Sequence, residues 1–487
     1  MLKKSNRLYK LIILKMTFVL VFTNAHTASL NPEGIGEALV FPYYTVNNGL
    51  DTLLSVSNST ADTKAIRIRF LEGDNGQEVS SFSVYLGPFD MWTAAVTATP
   101  MGARLISSDT SCIFNFSSAK NFSTDVYISD PGSDDTVRLR EGHFEIIEMG
   151  VVTDPNLSQA TFHVNGQPQN CNAIETAWEP GGQWHIDPND GISAAIGGLM
   201  GQAIIVNVQS GTAVSYNPEA IIGFYGAQAL LHTEPNSLLP NLASAEPRSS
   251  IMDSNTIYAS EWPRGIDAIT ALFMRSNLYN DFSLVESLAA KTETVVTFPT
   301  KRFYTQPENG PRLPFSSIFG NKNQGIVRAC EALYTYLISQ EAKFIDPFAC
   351  SFGAANTCPS VSEGMALCTT TNVVQFKNSA LITPASDSIL GSKNLPYLFR
   401  ESAFDGSIDF LNFQTIVSTE EFASGRFELA FLNFFSDKDN VYSYEGLPVT
   451  GFTIQQYTNN NAQPNVLAQY ASIFKNKHAR AIIPFVR

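Results

Sequence analysis

Apolar and polar residues alternate over short stretches through most of this chain, and a period of two marks a strand with one buried face. Ile66-Arg67-Ile68-Arg69-Phe70 sets apolar against basic at every step, and Phe82-Ser83-Val84-Tyr85-Leu86 alternates again beyond the turn Gly73-Asp74-Asn75-Gly76. Residues 52–58 and 91–96 flank this pair, and 144–149 and 203–208 supply later strands. Turn residues recur between these segments at the regular spacing of an antiparallel sandwich, predicted over residues 30–230. Residues 231–254 break the pattern with Pro235, Pro240 and Pro247 and no apolar period, which reads as a linker. Strand patterning restarts at 271–277 and 294–298 and continues at 373–376, 408–413, 427–432 and 452–454, so a second sandwich is expected over 255–487. Residues 326–338 fit a helical stripe, but their aromatic and β-branched content favours a strand. The expected fold class is therefore all-β: two immunoglobulin-like, antiparallel β-sandwich domains.

The N-terminus changes the picture. A basic segment, Met1 to Lys10, precedes an apolar stretch from Leu11 to Phe22, and Thr23-Asn24-Ala25 places small residues where a signal peptidase cuts. That apolar stretch is too short for a membrane span, which needs about 20 residues. Residues 1–25 are read as a cleaved signal peptide, and the protein as exported to the periplasm, cell surface or extracellular space. The Gly-rich run from 192 to 208 reads as a turn feeding a core strand, so no transmembrane segment is expected after cleavage.

Charge narrows the function classes. The chain of 487 residues carries 31 Lys+Arg against 45 Asp+Glu, a net charge of −14. Five of the positive charges lie in the first fifteen residues, so cleavage would leave a balance of 26 against 45. An acidic surface of this kind repels phosphate backbones, and no nucleic-acid partner is expected.

Six cysteines agree with an oxidising compartment. Cys112 and Cys171 fall in the first half, and their isolation makes them the natural first disulfide. Cys330, Cys350, Cys358 and Cys368 form a Cys-rich insertion at 330–368, with two further bonds among them. The spacing lacks the close C-x₂₋₄-C pairs of structural zinc sites.

Two stretches of the first half, Gly36-Glu37-Ala38-Leu39-Val40-Phe41-Pro42-Tyr43-Tyr44-Thr45-Val46 and Asp51-Thr52-Leu53-Leu54-Ser55-Val56-Ser57-Asn58-Ser59-Thr60, resemble a family of exported proteobacterial β-rich proteins. Val295-Val296-Thr297-Phe298-Pro299-Thr300-Lys301-Arg302 and the closing block 447–480 resemble the same family. The resemblance implies export and a β fold; it brings no activity, cofactor or catalytic residue.

Chemistry is sparse. The chain has no H-E-x-x-H, Walker, G-x-S-x-G or dinucleotide glycine motif. His143, beside Glu145, reads as a surface strand residue. Asp437, Asp439 and Asn440 form an acidic turn, a weak calcium candidate lacking the glycine and terminal glutamate of an EF-hand; no other cofactor is expected. Trp178-Glu179-Pro180-Gly181-Gly182-Gln183-Trp184 is a candidate sugar-binding loop: two indoles could stack on sugar rings while Glu179 and Gln183 bond hydroxyls. The competing reading folds one or both indoles back as the lid of the core. The leading expectation is an exported structural or interaction protein without catalytic chemistry, with a carbohydrate-binding or carbohydrate-active protein as the alternative. Protein or surface-polysaccharide partners fit these two.

Overall fold

Strand Leu50–Asn58 buries every second residue, as its alternation requires, and so sits at the surface of a sandwich. A computed structural model describes residues 26–485 apart from 115, 117, 124–134, 227–228, 307–311, 321–327, 346–360, 378–387, 403–407, 415–416, 419–422 and 464–465. The expected signal peptide, residues 1–25, lies outside the described residues.

The fold is all-β, with two packed antiparallel sheets in each half. In the first half, an eight-stranded sheet runs Ser29–Asn31, Glu219–Ile222, Ala38–Thr45, Glu141–Val152, Lys64–Glu72, Glu78–Leu86 and Cys112–Ile113, with Ile192–Ser193 off its path. It faces a six-stranded sheet of Thr212–Tyr216, Leu199–Asn207, Leu50–Asn58, Met91–Thr99, Gly102–Ile106 and Ala119–Asn121. Phe41, Ile68, Phe70 and Phe144 of the first meet Leu54, Trp92, Val96 and Ile205 of the second in one core.

In the second half, an eight-stranded sheet includes Glu331–Ser339, Ser424–Phe431 and Asn277–Ser283 and packs on a five-stranded sheet centred on Lys291–Thr297. Glu331–Ser339 alternates buried and half-buried residues, so the strand expectation there holds.

Among the described residues no strand passes between the halves' large sheets, yet the cores do not respect that division. Val295, Val373, Phe452 and Ile454, on one face of the five-stranded sheet, join the first half's core. Ala38, Val40, Ile147 and Ile221 join the second half's core.

Three expectations are corrected. Residues 231–254 do not form a free linker. Arg248–Asp253 pairs as a strand with Thr256–Glu261, and His232 is buried. Residues 271–273 are not strand but the end of a helix, Gly265–Phe273, whose residues from Ile266 onward are all buried. The strand Lys64–Glu72 is buried on both faces, because a second layer covers its basic side. Arg67 donates to the carbonyls of Thr233, Glu234 and Pro235, and Arg69 pairs with Glu78 and Glu145. Lys64 meets Glu148 at 2.8 Å, both side chains fully buried. Burying a charge is costly unless it is paired or hydrogen-bonded: Arg69 and Lys64 have carboxylates, and Arg67 has only carbonyls and the Thr233 hydroxyl.

Candidate functional site

Two of the expected disulfide cysteine pairs form. Cys112 is bonded to Cys171, as their isolation in the first half suggested, and Cys330 to Cys368. Cys350 and Cys358 lie outside the described residues. The first bond ties the edge strand Cys112–Ile113 to the start of helix Cys171–Trp178.

That helix decides the fate of the sugar-loop candidate. Ile174, Ala177 and Trp178 form its buried stripe, and a short helix, Gln183–Ile186, turns Trp184 inward beside them. The two indoles sit against Tyr85 and His232. Tyr85 stacks on Trp184 at 5.1 Å between ring centres. Trp178 Nε1 donates to Tyr85 Oη at 2.8 Å, and Trp184 Nε1 to the Asp190 carbonyl at 3.0 Å. Glu179 is exposed, and Gln183 spends its amide on the Asp190 carbonyl. With both ring faces packed, the loop offers no indole to a sugar ring, and the candidate is corrected to a core lid. Burial pushes the His232 imidazole down to about 4, with Arg67 adding to the effect against a hydrogen bond to the Pro188 carbonyl.

In the acidic turn one carboxylate is engaged by the protein itself. Asp437 is buried, and its carboxylate accepts from the Val441 and Tyr442 amides and from Ser260 Oγ, at 2.7, 3.2 and 3.0 Å. Asp439 and Asn440 are exposed beside it. The Asp437 oxygens close the turn and dock it on strand Thr256–Glu261. Among the described residues no three His, Cys, Asp or Glu side chains are placed to hold a metal ion. His143 is another correction. It is buried rather than on the surface, neither ring nitrogen has a hydrogen-bond partner, and burial pushes its pKa down to about 3.

Two other places carry recognisable chemistry. The first is a cleft of about 840 Å³ where the halves meet, walled by Leu30, Ile251, Ile257, Phe452 and Ile473. Arg275 and Arg480 lie in it, and both cap the carbonyl end of helix Gly265–Phe273. Arg275 Nη1 donates to the Leu272 and Met274 carbonyls at 2.9 and 2.8 Å. Arg480 Nη2 reaches Leu272 at 2.7 Å, and its Nη1 reaches Met274 and Ala271 at 3.2 and 3.4 Å. The last carbonyls of a helix have no partner within it and carry partial negative charge, so cations belong there. Gly446 packs on the backbone of Arg275: at φ +99° it lies so close to the Arg275 carbonyl that a Cβ would overlap it. Burial pushes the Arg275 pKa well below its ordinary value, and the Arg480 charge pushes the same way; burial takes Arg480 down to about 10. Arginine stays protonated in proteins, so these directions report charge that the protein leaves incompletely met.

The second place is the outer face of the six-stranded sheet. Leu53, Ser55, Thr93, Ala95, Ile106 and Ile204 line a shallow, mostly apolar groove of about 540 Å³. Met91 and Met200 are exposed on the same face. Neither place was singled out as a site from sequence. Arg275 stands in a segment read as strand, and alternation alone cannot tell a solvated face from a covered one.

The chain matches no protein-family model, no curated protein and no solved structure. No helix among the described residues is long and apolar enough to cross a membrane.

Proposed function

We propose that this is an exported interaction protein without catalytic chemistry, and that it self-associates through the outer face of its six-stranded sheet. The observation that carries this reading is the neutrality of that face. Leu53, Ser55, Ala95, Gln202 and Ile204 stand at its centre, the Asp109 carboxylate is bonded to Thr93 at one side, and charged Asp51 and Arg104 lie towards the margins. In a chain of net charge −14, copies repel one another over most approaches, and an uncharged apolar patch is where two can meet. Export rests on the leader-like residues 1–25 and agrees with two disulfide bonds. The carbohydrate alternative has lost its stacking platform, since Trp178 and Trp184 are buried.

Sedimentation velocity of the full mature chain over a hundredfold range of concentration tests the reading. Concentration-dependent dimers or larger species are expected, and Leu53→Asp with Ile204→Asp should shift them to monomer with unchanged thermal unfolding. A parent that stays monomeric throughout, or a variant that associates as the parent does, would refute it.

A further inference from the structure

Arg275 is only 4% exposed, yet it lines an open cleft. Its Nη1 is spent on two helix carbonyls, while its Nε and Nη2 have no protein acceptor and are not sealed from the cleft. Arg480 caps the same helix end with both terminal nitrogens and leaves Nε without an acceptor. Neither guanidinium has a carboxylate at ion-pair distance among the described residues. Lys475, also in the cleft, is paired with Glu219 at 2.7 Å, and Glu219 and Asp253 act on both arginines from further away. A helix end supplies roughly half a negative charge. Arg275, Arg480 and Lys475 set against Glu219, Asp253 and that half-charge leave the cleft net positive, with no carboxylate bonded to either guanidinium.

The walls say what kind of anion would answer it. Leu30, Ile251, Phe452 and Ile473 make the remaining surface apolar, with Ile257 exposed at the mouth. Glu219 and Asp253 border the same space and oppose a second negative charge. A singly charged head on an apolar body satisfies both conditions, whereas a compact dianion satisfies neither. We propose that the cleft between the halves is a binding site for a monocarboxylate with an apolar chain, its carboxylate held by the free edges of Arg275 and Arg480. This is independent of the sheet-face association proposed above, which uses a different surface.

Calorimetric titration of the full mature protein with octanoate, octan-1-ol and inorganic phosphate provides the test. Saturable octanoate binding at one site is expected, with neither octanol nor phosphate competing. Arg480→Gln should weaken octanoate at least tenfold by removing a charge. Ile257→Asp, at an exposed position that folding does not depend on, should weaken it comparably by placing a second negative charge at the mouth. No saturable binding, phosphate or octanol binding as tightly as octanoate, or Ile257→Asp binding octanoate like the parent would each overturn the proposal. If Arg480→Gln unfolds, Ile257→Asp alone decides.

Discussion

Strand Glu141–Val152 carries Glu141, His143, Glu145 and Glu148 in a span buried from end to end, and each is treated differently by its surroundings. Glu145 has Arg69, and Glu148 has Lys64 together with the amides of Ile196 and Gly197. His143 has nothing, so it stays neutral in the folded chain. Its folded pKa of about 3 lies below the ordinary histidine value. Between the two, the unfolded chain takes up a proton that the folded chain refuses, so unfolding gains as pH falls. The stability tied to His143 is thus fully present above about pH 6.5 and drains away towards pH 3. His143→Leu removes two buried, unsatisfied nitrogens as well as that titration. Urea unfolding at pH 7, 5 and 4 should show the variant at least as stable as the parent at pH 7 and losing less on acidification. A parallel pH dependence in parent and variant would contradict this assignment. His232, held near 4, contributes the same sign over a narrower window, which the variant leaves intact.

At the level of elements, the strands were legible wherever one face met solvent. Leu50–Asn58 and Glu331–Ser339 show why: burial alternates along them, and so does composition. The helix Gly265–Phe273 was hidden because it is short and buried on all sides, even at Asp267 and Thr270, and its apolar end Ala271-Leu272-Phe273 runs on into the strand Met274–Arg275. Arg67 and Arg69 misled in the opposite sense. They alternate with isoleucine as a wet face would, but what covers them comes from residues 233–235 and from strand Glu141–Val152, distant in sequence. The tryptophan loop was half legible. Two indoles on a Pro/Gly-rich segment are marked in any sequence, but whether they face out depends on Tyr85 and His232, remote in sequence. The Cys112–Cys171 pair was legible from distribution alone, and its energetic role follows. It closes a separation of 59 residues and anchors the helix that carries Trp178. Replacing both cysteines with serine should lower unfolding free energy by about 4 kcal/mol on the loop-entropy account, read from denaturant midpoints. It should also raise the fluorescence response of the tryptophan cluster to mild denaturant before global unfolding. A loss under about 1 kcal/mol would mean that the packing around Trp178 and Trp184 holds this region without the bond.

For the molecule as a whole, the boundary seen in strand pairing is not a boundary in packing. Phe452 belongs to the second half's five-stranded sheet, yet its ring lies 4.9 Å from that of Tyr216 and 6.2 Å from that of Tyr43. Thr297 Oγ1 donates to the Pro42 carbonyl at 2.6 Å, crossing the same junction. The halves should therefore unfold as one unit. Phe452→Ala is expected to destabilise by about 3–5 kcal/mol, and differential scanning calorimetry should show one endotherm moving down intact. Two resolved endotherms in the parent, or a variant in which only one moves, would show that the halves melt separately.

A chain is made from its N-terminus, and the caps of helix Gly265–Phe273 give that direction a consequence. The helix joins a core that includes Ala38, Val40 and Ile147, but its carbonyl end is closed by Arg480, 208 residues beyond Leu272 in the chain. The sheet face that carries Ala38, Val40 and Ile147 therefore stays uncovered until the helix has emerged, and the helix end stays uncapped until Arg480 follows it. The order of synthesis thus sets an order of completion: the core between the halves is the last part of the fold to be closed.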